Sequence, residues 1–369
     1  MKQWQCIFLK TQKKSLNCKS VGINVNRIKS FFLIIILLTV VSNLFGRTLQ
    51  LKLATFLPPP HPYEKFIENV AKQLTELSNN KVTIKVYGSS SLGKADSLYE
   101  VTEEGLADIS LVCNGYNPSL FPLSLGVQLP FFGDSAKMST YIIMEMLKRN
   151  VFKKEFSDVV YLFPLITSPS YFFSKKRISQ IEDFKGLRIV GGTKIFRDIC
   201  KILGASSIVI SYPDVYLALQ RDVVDAGVTN WPAAIGGWKW YEVLKYALDV
   251  PIMSGWHCEM LMNKKSWEKV PDEVKNRWKK VFPLISIQFA KYSDKLDAVM
   301  RKKAIKEGME IVELSKSQKE KLLQKLMPIW EKYIKANGED GRRFYRIYIN
   351  AMKKLGKPVL IKISGVMDK

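Results

Sequence analysis

Apolar and polar positions run in two rhythms along this chain. Leu51 and Leu53 alternate with Gln50 and Lys52, so residues 50–56 read as a half-buried strand that ends at Pro58-Pro59-Pro60. Phe66, Ile67, Val70, Leu74 and Leu77 then recur at helical spacing, which predicts an amphipathic helix over 63–77, broken by Asn79-Asn80. Strict alternation returns at 82–87. A short helix over 98–105 and an apolar strand over 108–113 follow. Strand, helix, strand, helix, strand predicts parallel pairing with right-handed crossovers. A second such set begins at 159–166. It continues with a strand at 186–190, a helix at 194–203 stopped by Gly204, a strand at 207–210, a helix at 213–220 and a strand at 223–228.

The last hundred residues read as helix. Residues 266–270 lead into a long segment over 272–310. Ser315 and Gln318 make a capping-box pattern ahead of a helix carrying Leu322, Leu323, Leu326, Trp330 and Ile334 on one face, with Pro328 expected to kink it.

Residues 31–45 (FFLIIILLTVVSNLF) carry no charge and follow Arg27 and Lys29. A basic stretch before a short apolar run is a secretory signal. The run is shorter than the roughly 20 residues a spanning helix needs. Residues 1–47 are therefore expected to be a signal peptide with a long basic leading region, and the mature protein a periplasmic one starting within 46–51. An uncleaved anchor is the alternative.

The 369 residues suffice for two domains, and 47% hydrophobic with 25% charged residues is globular usage. The formal charge is +23. Beyond residue 47 the chain carries 49 basic and 34 acidic residues, a net +15. The lysines are spread along helical segments beside acids, without an aromatic-basic motif, so a solvated surface is expected and not nucleic acid. Cys113, Cys200 and Cys258 follow the leader without CxxC spacing; they read mainly as buried thiols, with a Cys200–Cys258 bridge as the alternative. Only His61 and His257 are histidines, and there is no HExxH, GxSxG, GxGxxG or phosphate-cradling loop. Neither a metal, nor a cofactor, nor catalysis is expected.

Five segments in order resemble the DctP-type solute-binding proteins of TRAP (tripartite ATP-independent periplasmic) transporters. They are residues 51–66 (LKLATFLPPPHPYEKF), 81–112 continuing to Leu129-Pro130-Phe131-Phe132, 181–190 (IEDFKGLRIV), 203–227 (LGASSIVISYPDVYLALQRDVVDAG) and 262–275 (MNKKSWEKVPDEVK). The resemblance spans about 51–335. It implies an α/β, two-lobed periplasmic-binding-protein-like fold with chain crossovers between lobes and long bracing C-terminal helices. The first lobe is expected over 48–166 plus 256–296, the second over 167–255 plus 297–369. It also implies a function: capture of a small organic solute in the interlobe cleft, hinge closure, and delivery to the permease subunits of a TRAP transporter, with no enzymatic step. A ligand-binding sensor subunit and a periplasmic enzyme on a similar fold are the competing readings.

The chain departs from that family at its acid clamp. The resemblance implies an Arg in a strand written G-L-K-I-R-V; here residues 186–192 read GLRIVGG, so that Arg falls on Val190 or is missing through a one-residue deletion before the helix. Arg188 falls on the same strand face about 6.6 Å away. A second Arg found in some members falls on Ser170. Carried over the same way, the cleft positions are Phe56, Cys113, Tyr116, Ser170, Arg188, Val190, Tyr212, Thr229, Asn230, Trp231 and Trp256. Such a lining is aromatic and weakly polar, and it suits a neutral or largely apolar solute; the alternative is an anion met by Arg188, Lys194, Arg197 or the N-terminal amides of the following helix.

Overall fold

The computed structural model describes residues 48–191, 193–361 and 363; the expected signal segment lies outside the described residues. In the first sheet β1 (Leu49–Ala54), β2 (Val82–Tyr87) and β3 (Ile109–Cys113) pair in parallel, joined by α1 (Pro62–Leu77) and α2 (Leu98–Glu103). The order is completed by β10 and β4 (Val160–Ile166), giving β2-β1-β3-β10-β4. The inserted strand β10 (His257–Met262) is antiparallel to both neighbours and buried along its whole length. Buried on both faces, it shows no alternation, which is why its sequence (HCEMLM) signals no strand.

The second sheet is ordered β11-β9-β5-β8-β6-β7. Its strands are β5 (Tyr171–Ser174), β6 (Arg188–Val190), β7 (Ser206–Ile208), β8 (Ala226–Thr229), β9 (Tyr246–Leu248) and β11 (Glu310–Val312). The helix α4 (Lys194–Leu203) links β6 to β7, starting at a Thr193 cap and ending at left-handed Gly204; α5 (Tyr212–Gln220) links β7 to β8. Gly204 is the residue for such a cap because it lacks the Cβ that penalises positive φ.

The chain crosses between sheets after β4 and again before β10, and the crossings are laced together. Thr167 N donates to Trp256 O at 3.1 Å, and Ser170 N donates to Met253 O at 3.0 Å. Trp256 N donates to Thr167 Oγ1 at 2.8 Å. A short helix, α6 (Lys264–Lys269), precedes α7 (Asp272–Lys306), which braces both lobes. α7 packs on α1, β4 and α3 (Ala136–Leu147) of the first lobe and on a π-helical turn (Pro232–Gly237) of the second. Its Arg301 grips Asp249 with two hydrogen bonds, 2.8 and 2.6 Å.

Of the terminal helices, α8 (Lys316–Ala336) packs on α4, while α9 (Gly338–Lys354) packs on α3 of the first lobe.

Candidate functional site

The two sheets point the ends of β1, β3, β8 and β10 at one another, and a chamber lies between them. Its own walls nearly fill it, leaving about 60 Å³ of free space. A wider groove of about 630 Å³ lies between α3, β4 and α7. Its walls come from the first lobe and α7 alone, so lobe closure would not seal it, and the interlobe chamber is the better site.

Aromatic rings make most of the chamber wall. Phe56, at the end of β1, meets Tyr116 edge-on at 5.5 Å. Tyr116 lies 5.6 Å from Trp256, and Trp256 meets Tyr212 of the second lobe edge-on at 5.1 Å. Burial pushes the Tyr116 and Tyr212 hydroxyls above their ordinary range, so both stay protonated. His61, the cap of α1, packs on Trp238 at 5.2 Å. Its Nδ1 accepts from Tyr63 N, and burial pushes it down to about 3, leaving it neutral.

Most polar atoms of the wall are already committed. Asn230 Oδ1 accepts from Tyr63 OH at 3.0 Å and Ala233 N at 2.9 Å, and its Nδ2 donates to Thr167 Oγ1 at 3.1 Å. Tyr212 OH donates to Val228 O. A separate small recess shares Tyr212 and Trp256 with the chamber wall and is further lined by Gln128, Ser170, Thr193 and Ser254. There Gln128 Oε1 and Ser170 Oγ are buried with no protein partner, and such orphans cost roughly 1–3 kcal/mol each until something pairs with them. Among the described residues, no Lys, Arg, Asp or Glu lines the chamber or the recess.

Of the positions expected from the sequence, Phe56, Cys113, Tyr116, Tyr212, Thr229, Asn230 and Trp256 line the chamber, and Ser170 lines the recess. Three positions differ. Arg188 begins β6 on the exposed rim, where Nε and an NH₂ group each reach Asp225 at 3.0 Å, so a stronger partner holds it away from the cleft. Val190 is fully buried in the second-lobe core with Tyr212 and Val215. Trp231 turns back into that same core, edge-on to Phe173 at 4.8 Å.

Sequence reasoning missed His61, Tyr63, Thr167, Trp238, Cys258 and Phe289, which also line the chamber. It also missed a covalent link. Cys113 and Cys258 form a disulfide, while Cys200 is the free buried cysteine among the described residues. The reading as a buried thiol holds for Cys200, but for Cys113 and Cys258 it is corrected, as is the alternative Cys200–Cys258 bridge: β3 and β10 place Cys113 directly opposite Cys258. The separation of 145 residues hid this pairing in the sequence.

The profile of DctP, bacterial extracellular solute-binding protein family 7, matches residues 53–337. A solute-binding protein of Chromohalobacter salexigens is 24% identical over 292 residues, covering 76% of this chain and 84% of that protein. A marine metagenome TRAP solute-binding protein, specific for aromatic acid ligands and solved with 3-hydroxybenzoate, superposes with a TM-score of 0.79. The identity there is 23%, over 85% of this chain and 100% of the other. A TRAP solute-binding protein of Rhodoferax ferrireducens, solved with copurified benzoate, gives 0.78 at 20% identity, covering 84% and 99%.

Proposed function

The chain belongs to bacterial extracellular solute-binding protein family 7, and from that premise we propose that it captures a neutral aromatic solute between its lobes for delivery to a TRAP-type permease. Capture and release involve no bond making. The observation that carries the solute class is the chamber wall: rings of Phe56, Tyr116, Tyr212, Trp238 and Trp256, and no side-chain charge. A ring seated among these gains about 0.5–1.5 kcal/mol per aromatic contact beyond area burial. A carboxylate closed in with no cation would instead cost several kcal/mol.

The solved relatives above take aromatic acids. The aromatic half of such a molecule suits this chamber, and its charged half has no cationic partner here. The polar end of the solute is better matched by Gln128 Oε1 and Ser170 Oγ, which need a donor and an acceptor together. A carboxamide or a hydroxyl offers both.

Thermal-shift and calorimetric titration with benzamide, phenylacetamide, benzoate, phenylacetate and succinate test this. The amides are expected to bind at least about tenfold more tightly than their acids, with Arg188→Ala leaving them unchanged. If succinate or benzoate binds best, and Arg188→Ala abolishes that binding, the proposal fails and Arg188 has moved into the clamp.

A further inference from the structure

Three strands of the first sheet lay a row across the chamber floor. Cys113 of β3 is in register with Cys258 of β10, and Cys258 is in register with Leu165 of β4; all three side chains line the chamber. The disulfide is therefore a surface that faces the solute site, not a staple on the outside of the protein. Its two cysteines are almost wholly buried.

The position along the chain adds a second role. Cys113 ends β3, and Tyr116 lies three residues on; Cys258 is the second residue of β10, and Trp256 lies two residues before it. These two rings form the pair at 5.6 Å, and Trp256 is also the ring that meets Tyr212 across the cleft. Joining the sulfurs thus fixes the two chain ends that carry the rings.

We infer that the Cys113–Cys258 disulfide is a working part of the solute chamber: its sulfurs form the floor, its closure sets the Tyr116–Trp256 pair, and capture belongs to the oxidised protein. This rests on the reading that the interlobe chamber takes the solute. The physical logic is preorganisation: a wall already held in its bound arrangement spends less binding energy on ordering. The third cysteine does not interfere, since burial pushes Cys200 up to about 12 and leaves little thiolate for exchange.

The test begins with peptide mapping of the full chain without reductant. A linked Cys113–Cys258 peptide and a free Cys200 are expected, and free thiols at 113 and 258 would overturn the inference. Dithiothreitol then reduces the bond, itself becoming the cyclic disulfide. Phenylarsine oxide caps the resulting dithiol: arsenic gains two bonds to sulfur, and its oxygen leaves as water with the two thiol protons.

Benzamide is the probe of capture. It is expected to bind the reduced protein, and the Cys113→Val/Cys258→Val variant, about tenfold more weakly than the oxidised protein. It should not bind the capped protein, whose phenyl group fills the chamber. Circular dichroism and melting separate lost capture from lost folding. Equal affinity for oxidised, reduced and capped protein overturns the inference. If benzamide does not bind even the oxidised protein, the solute-class reading falls by itself. Hydroxyl-radical footprinting then decides: capping must protect Tyr116 and Trp256 from oxidation, and unchanged labelling of both rings overturns the inference.

Discussion

Carboxyl groups drawn wholly or partly out of solvent, Glu64, Asp297 and Glu259 foremost, give this protein a pH signature. Glu64 is buried under β1, where Thr55 Oγ1 donates to it at 2.6 Å, and burial pushes it up to about 7. Asp297 of α7 is pushed up to about 7, also by burial, which outweighs nearby Arg301. Glu259 of β10 is fully buried; burial and neighbouring Glu155 raise it well above the ordinary range. Its Oε1 comes to 3.2 Å from His257 Nε2 without a well-aligned hydrogen bond. Burial holds His257 down to about 3, so this pair is neutral. A raised carboxyl binds its proton better when folded, so stability falls as pH rises towards the folded value. The two histidines have lowered values, and their opposite effect sets in as pH falls towards the unfolded value of about 6.5. Between pH 8 and 6.5 the carboxyls outweigh it, and acidification across that window is expected to raise the melting temperature by about 2–4 °C. Asp297→Asn and Glu64→Gln, followed by scanning calorimetry at both pH values, should each flatten part of that rise. A melting temperature that falls across this window would contradict the assignment.

At the scale of elements, the two crossings decide whether the lobes can meet. A Cβ built on Gly255 would lie 1.9 Å from Thr167 O and 2.4 Å from Thr167 C, both backbone atoms that cannot step aside. Gly255→Ala is therefore expected to push the crossings apart and destabilise the protein by about 1–3 kcal/mol. Benzamide binding should weaken with it, read by urea melts and titration; a variant of unchanged stability would show that the crossings have slack. The elements most legible in the sequence were those with one face wet. The strand at Val82–Tyr87 and the helix at Lys194–Leu203 fall where their periodicity predicts. Elements closed in on several sides, such as β10 and β5, carry no such rhythm and were silent. The chamber was legible in proportion to the family pattern. Motif positions on strand ends gave Phe56, Cys113 and Thr229, whereas His61, Trp238 and Phe289 arrive from elements whose meeting is a property of the whole fold. Arg188 was misplaced because period two gives the face of a strand but not its competing partner Asp225.

At the scale of the whole molecule, the contacts that seal the chamber are few and cross the cleft. Tyr63 stands on α1 of the first lobe; its hydroxyl donates to Asn230 Oδ1 beyond β8 of the second lobe and lies 2.9 Å from Ser293 of α7. Asn230 is in turn tied to Thr167 in the first crossing. One phenol thus connects both lobes and the bracing helix, and opening the cleft must give up its bond to Asn230. The packing of α7 against both lobes keeps that opening a hinge rather than a separation. Removing the hydroxyl in Tyr63→Phe leaves the ring in place and takes away about 1 kcal/mol of closed-state stability. Closure and capture are linked, so the cost appears as a population of open molecules and an apparent affinity for benzamide about fivefold weaker. Saturating benzamide should still bring the variant to the same small radius of gyration as the parent protein in X-ray scattering, because the closed form itself is intact. Without benzamide the variant should be the larger of the two. If both proteins keep one radius with and without benzamide while binding it tightly, the lobes do not close on their solute, and the chamber is a rigid site.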